Sequence, residues 1–213
     1  MINLLFQGQV MVFILILFSL ILSLTFHEYG HGIVAKLYGD RTAELQGRLT
    51  LNPLAHIDPM GLLMVMIIGF GYAKPVPTDP RNYNSRWGIL MVAAAGPFMN
   101  LIVAFFTINL YIFGLSQGWS LFEGTGANTF FLFLASINML LMLFNLIPIG
   151  PLDGHYILPY FLPQRLARQY MILNDRYGSW FLLAIIGLAI MGIPIFKYVW
   201  ELSQVMLKFI ILC

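Results

Sequence analysis

The chain has 213 residues, 60% of them hydrophobic and 9% charged, with a formal net charge of +2. A soluble domain of this length carries about 25% charged residues. The composition therefore excludes an ordinary soluble fold, and the small charge gives nucleic acid nothing to hold. A mean hydropathy of +0.83 points to several membrane spans in one unit. The single cysteine, Cys213, is the last residue of the sequence. It excludes an internal disulfide and a cysteine-based zinc site, and with no C-a-a-X pattern around it reads as incidental.

Residues 1–9 contain no Lys or Arg, and no small-residue cleavage site follows the apolar run 10–26. That run is expected to stay as a span and not to be removed as a signal peptide. The first span covers roughly Leu4 to Tyr38 and ends in "SLTFHEYGHGIVAKLYG", residues 23–39. Residues 39–86 are mixed and hold "NPLAHIDP", "AKPVPTDPRN" and the short apolar stretch "GLLMVMIIGFG", residues 61–71. Eleven residues are too few for a helical crossing, so a re-entrant loop or β-hairpin is expected there. The second span covers roughly Trp87 to Phe113, a Gly-rich loop follows at 114–128, and the third span covers roughly Thr129 to Ile147. A turn containing "PIGPLDG" leads to an Arg-bearing segment, a fourth apolar stretch at 179–193, and an apolar tail after Pro194. The fold class is thus an all-α polytopic membrane protein, with about four to six transmembrane segments around a three-helix core. The expected division is a core over 1–160 and one or more C-terminal membrane segments over 161–213.

Arg41, Arg48, Lys74, Arg81, Arg86, Arg165, Arg168 and Arg176 all fall in 39–86 and 148–178, whereas the 114–128 loop has no Lys or Arg. The positive-inside rule places the first two loops in the cytoplasm and the N-terminus outside.

Ionisable groups beside a membrane-length segment are costly and usually functional. His27, Glu28 and His31 spell H-E-x-x-H. On a helix, positions i and i+4 share a face, so the two imidazoles can bind one zinc with the glutamate beside its water. Zinc lowers the water's pKa to about 7, and the glutamate takes its proton as general base. The alternative is a pair of interfacial histidines beside a glutamate, which leaves three polar groups short of partners. A catalytic site needs a third protein ligand and one open position. Glu123 lies on the wrong side. Asp153, just past the cytoplasmic end of the third span, is the best placed, and His56 and Asp58 stand as further candidates on the same side.

H-E-x-x-H in the first long span, followed by Asn145, Pro148, Pro151, Leu152, Asp153 and Gly154 in the order N-x-x-P-x-x-P-L-D-G, resembles the site-2 proteases. These are the intramembrane zinc metalloproteases of peptidase family M50. "NPLAHIDPMG", "GYAKPVPTDPRN" and "AAGPFMN" are also similar to family segments, and the resemblance covers roughly residues 20–160. It implies one zinc per chain on His27, His31 and Asp153, Glu28 as catalytic base, and Asn145 as a stabiliser of the oxyanion. It further implies transmembrane protein or peptide substrates cut near the cytoplasmic leaflet of a bacterial or archaeal cell membrane. The chain has room for neither the PDZ nor the CBS domain of larger members, so it is expected to be of the minimal type.

Other polar residues carry weaker signals. His155 beside Asp153 is either structural or supports the ligand. Asn100 after Gly96-Pro97 is expected to organise helix packing, and His56 and Asp58 to cap or pair locally. "AKPVPTDP" reads as extended, either a plain loop or an edge that could add a substrate strand. Two rivals remain. A prenyl-protein protease would carry a downstream glutamate ligand in place of L-D-G. A membrane zinc transporter, or a metal-binding protein without proteolysis, would spread polar residues along several spans.

Overall fold

Long apolar segments can satisfy their backbone in a bilayer only as helices or closed barrels, and here helices form. The computed structural model describes residues 2–68 and 71–212. The end of the 61–71 stretch at 69–70 and Cys213 lie outside the described residues. A short α1 (Ile2–Phe6) precedes α2 (Val10–Leu37), and α3 (Thr42–Leu45) and α4 (Pro59–Ile68) follow. The long α5 (Gly88–Ser116) and α6 (Thr125–Asn145) come next, then α7 (Gly154–Ile157), α8 (Gln164–Ile190) and α9 (Ile195–Phe209).

Three helices, α2, α5 and α6, are long and apolar enough to cross a membrane; α8 and α9, bent by 93° at the break between them, make a fourth span if counted together. That is the lower end of the expected range. The Arg-bearing segment and the fourth apolar stretch, separate in the sequence pattern, merge into the single helix α8. The tail packs on the bundle. Leu207 of α9 joins Ala104, Ile108, Ala135, Met139 and Met142 in the core, and Asn109 bonds both Ile210 O and Leu212 N.

Helices α2, α5 and α6 pack against one another in a triangle. Small residues allow close approach, as is usual between membrane helices. A Cβ on Gly30 would sit 2.8 Å from Ala95 O. The hydroxyls of Ser19, Ser23 and Thr25 donate to the carbonyls four residues earlier, at 2.7–2.8 Å, and so cost the buried face of α2 little.

The region 39–86 caps one end of this triangle. Helix α4 has only ten residues. The backbone at Gly61 meets Tyr72 so closely that a Cβ on Gly61 would collide with the Tyr72 carbonyl. The segment therefore returns to where it began, as a re-entrant element requires. The β-hairpin form does not occur: no strand is present among the described residues. Residues 71–79 form no regular secondary structure. The amides of Lys74, Val76 and Asp79 are committed to His56 O, Glu28 and Asp40, and Pro75, Pro77 and Pro80 have none.

Candidate metal centre

His27 and His31 lie one helical turn apart on α2, with their Nε2 atoms 3.1 Å from each other. Asp153 reaches them from the turn after α6. That turn folds back over the end of α6 so tightly that a Cβ on Gly154 would meet the carbonyls of Leu146 and Ile147. Only glycine fits there. Asp153 Oδ2 then stands 3.3 Å from His27 Nε2, and Oδ1 stands 3.4 Å from His31 Nε2. The three ligating atoms lie within 4.8 Å of one another.

The far side of each imidazole is also engaged. His31 Nδ1 lies 2.7 Å from Val92 O and His27 Nδ1 2.6 Å from Asn100 Oδ1. Both oxygens accept, so both Nδ1 atoms carry a hydrogen, and in the neutral rings that a metal requires both Nε2 atoms present lone pairs. With both rings neutral, two lone pairs and a carboxylate face one point. Asp153 Oδ2 is buried and has no hydrogen-bond partner. An arrangement of acceptors alone fits a cation. Ligands at roughly 2.0–2.1 Å from a tetrahedral zinc stand roughly 3.3–3.4 Å from each other, close to the 3.1, 3.3 and 3.4 Å observed here. His27, His31 and Asp153 are therefore the residues that could hold zinc.

Glycine also makes room from α5. A Cβ on Gly96 would meet His31 Nε2 and lie 2.6 Å from His27 Cε1. Pro97 leaves this turn of α5 one backbone bond short.

Glu28 is buried beside the pair and accepts from Val76 N at 2.8 Å. Asn145, anchored on α6 by its bond to Leu141 O at 3.0 Å, shares one cavity with Glu28, both histidines and Asp153. That cavity measures about 1420 Å³ and is walled by apolar side chains that include Leu20, Leu24, Leu140, Ile186 and Phe196.

The other sequence candidates lie elsewhere. His56 Nε2 donates to Thr50 O at 2.8 Å, and Asp58 caps α4 by accepting from Met60 N and Gly61 N, each at 2.9 Å. His155 faces away from the cluster to α8, where it pairs with Asn174 and with Asp175 at 3.1 Å. Asn174 Oδ1 also accepts from Gly150 N at 3.1 Å, and Tyr170 donates to Pro148 O at 2.8 Å. Helix α8 thereby braces the loop that carries Asp153. Asn100, expected to organise helix packing, does bond the neighbouring helices and also contacts His27 directly, and Asn138, which carries no expectation from the sequence, stands behind it. The signal for Asn138 was an amide in the middle of an apolar span.

A family model for peptidase family M50 matches residues 15–125 and 114–191. YwhC of Bacillus subtilis, named as a candidate zinc metalloprotease, is 38% identical over 184 residues, which is 85% of this chain and 81% of that protein. Rip2 of Mycolicibacterium smegmatis, named in the same way, is 32% identical over 149 residues, covering 68% of this chain and 56% of its own length. Rip2 of Mycobacterium tuberculosis strain H37Rv is 30% identical over 164 residues, covering 72% and 60%. The chain thus spans less than two thirds of either Rip2 protein. No solved structure gives a significant match.

Proposed function

The chain belongs to peptidase family M50 and is a multi-pass membrane metalloprotease that uses zinc; from that premise we propose that it hydrolyses peptide bonds of transmembrane substrates near the cytoplasmic leaflet. One zinc per chain is held by His27, His31 and Asp153, and Glu28 is the general base. The observation that carries this reading is the all-acceptor cluster at the wall of an apolar cavity, with Glu28 beside it. The catalytic core occupies 1–160, and 161–213 forms the C-terminal membrane part.

When bound, zinc supplies a Lewis acid that polarises the scissile carbonyl and brings the pKa of water to about 7. The protein's own groups do the rest. Glu28 is oriented by Val76 N–H through Oε2, which leaves Oε1 to take a proton from the attacking water and return it to the leaving amine. Asn145 spends one amide hydrogen on Leu141 O and keeps the other for the oxygen that gains charge in the transition state. The apolar cavity wall admits a membrane segment and restricts bulk water.

Positive charge in the 39–86 and 148–178 loops supports a cytoplasmic orientation for this face, in what we read as a bacterial or archaeal cell membrane. Cysteines introduced at Gln46 and Gln117 in a Cys213→Ser background should label from opposite sides of the membrane; labelling from one side refutes this orientation.

The functional test is cleavage of a transmembrane substrate in liposomes, read with zinc content. Glu28→Gln should keep its zinc and lose cleavage by about 10²–10⁴-fold. Wild-type cleavage by the Gln variant removes Glu28 as the base.

A further inference from the structure

Behind His27, away from the cavity, lies a run of buried amides and hydroxyls in the middle of the helix triangle. His27 Nδ1 meets Asn100 Oδ1 at 2.6 Å. Asn100 Nδ2 donates to Ser23 O at 3.1 Å and to Asn138 Oδ1 at 2.8 Å. Asn138 Nδ2 donates to Leu134 O at 2.8 Å and to Ser23 Oγ at 2.7 Å, and Ser23 Oγ donates to Ser19 O at 2.7 Å. Ser19, Ser23, Asn100 and Asn138 are each fully buried. Neither Asn100 nor Asn138 lines the cavity, so neither is placed to contact a substrate bound there.

The direction of this chain of bonds is fixed. Backbone carbonyls only accept. Leu134 O therefore holds the nitrogen of the Asn138 amide, which turns Asn138 Oδ1 toward Asn100. Ser23 O and Asn138 Oδ1 then take both hydrogens of Asn100 Nδ2, one each. Asn100 has only its oxygen left for His27. A flipped Asn100 would set its oxygen against two acceptors in a fully buried place, and a buried polar group left unpaired in this way is costly. With an oxygen facing it, His27 carries its hydrogen on Nδ1 and keeps the Nε2 lone pair toward Asp153.

We propose that Asn138, on α6, is a positioning residue for the metal centre: it locks the amide of Asn100, and the locked amide fixes the tautomer and ring orientation of His27. One helix thus supplies His27, a second the amide that orients it, and a third the residue that prevents that amide from turning over. The proposal rests on zinc binding by His27 as read above. It differs from general packing because it predicts where one hydrogen sits and that Asn138 acts only through Asn100.

Zinc affinity by competition with a chelator and the ¹⁵N spectrum of His27 in the zinc-free chain test it together. Asn100→Leu should weaken zinc binding by about 10–100-fold, the usual effect of losing a group that orients a metal ligand. Asn100→Asp keeps an acceptor toward His27 but sets its second oxygen against Ser23 O and Asn138 Oδ1, so it should regain only part of that loss. Asn138→Leu leaves Asn100 tied only by Ser23 O, so its loss should fall at or below the lower end of that range. The double Asn100→Leu/Asn138→Leu variant should bind no worse than Asn100→Leu alone, because the two positions share one path. In the spectrum, wild type should show the hydrogen on Nδ1 alone, and Asn138→Leu should show a mixture of tautomers. If Asn138→Leu does not assemble, Asn138→Ser, which leaves space in place of bulk, takes the same measurements. Additive losses, or a single Nδ1–H tautomer in the Asn138 variants, overturn the proposal. Zinc retained at wild-type affinity in His27→Ala would instead sink the metal assignment, while the spectrum still judges the amide lock on its own.

Discussion

The amide of Val76 donates to Glu28 Oε2 across 2.8 Å, joining residues 48 positions apart in sequence. The stretch around Val76 is itself tied down. Lys74 N donates to His56 O at 2.8 Å, Arg48 Nη2 to the carbonyls of Lys74 and Pro75, and Asp79 N to Asp40 at 2.7 Å. The polar loop thus acts as a splint that holds one carboxylate oxygen and leaves the other free.

Val76→Pro removes the donor and exchanges a buried, cavity-lining valine side chain for a ring of the same three carbons, between two residues that are already proline. The expected outcome is zinc content equal to wild type and a fall in kcat of about tenfold or more, short of the 10²–10⁴-fold expected when a general base is lost. Liposome cleavage of a transmembrane substrate, read with metal analysis, is the measurement. An unchanged kcat would mean that Glu28 orients itself without the loop.

Gly96→Ala tests the approach of α5 to the imidazoles. An added Cβ would meet His31 Nε2 and stand 2.6 Å from His27 Cε1. Alanine favours a helix over glycine by about 0.8–1 kcal/mol, so α5 itself should not suffer. Zinc affinity should fall by about 10–100-fold, as when a ligand is turned away from its geometry. Gly187→Ala in α8, where a Cβ meets nothing within 4 Å, is the control and should bind zinc as wild type does. Equal affinity in both variants would show that the imidazoles yield freely.

The candidate metal-binding trio was legible because its chemistry is local. His27 and His31 are i and i+4 on one helix, and Asp153 follows a span end on the matching side. Chain order and charge were enough to bring them to one end of the bundle. The supports were not legible for the opposite reason. Val92 O and Leu134 O are backbone atoms that sequence does not distinguish, and the bond between Asn100 and Asn138 depends on the rotation of two helices about their axes. The division at 160 hid a further contact. Tyr170 and Asn174 look like the polar part of a tail, yet both bond the loop that ends in Asp153.

Asn174→Ala follows from that contact. It removes the acceptor from Gly150 N and the partner of His155 Nδ1 in one step. The Asp153 loop should loosen, and zinc should exchange faster and bind several-fold more weakly while α8 stays helical. Tyr170→Phe, which removes the single bond to Pro148 O, should do less. Isotope exchange of bound zinc, with circular dichroism for the helix, distinguishes a loosened loop from a lost fold. Exchange as slow as wild type in Asn174→Ala would mean that α8 does not brace the ligand.

Asp40, fully buried just past α2, ties that helix to the polar loop. Its carboxylate accepts from Thr42 N, the Thr42 hydroxyl, Asn82 Nδ2 and Asp79 N. Burial alone would push its pKa up. The bonds from Thr42, Asn82 and Asp79 outweigh that and hold it below the ordinary carboxylate value. A depressed native pKa means that the charged form stabilises the fold. The contribution is fully present above the unfolded value of about 3.9 and is lost as pH falls through the native value. Asp40→Asn should therefore cost about 1.5–3 kcal/mol at pH 7, the scale of a hydrogen bond to a charged group. The gap between variant and wild type should begin to narrow below about pH 4, where the unfolded chain's carboxylate takes up its proton, and should close only below the depressed native value. Thermal unfolding in detergent at pH 7 and pH 3 measures both. A gap that stays constant between the two would show that the charge on Asp40 contributes nothing, and that its bonds matter only as geometry.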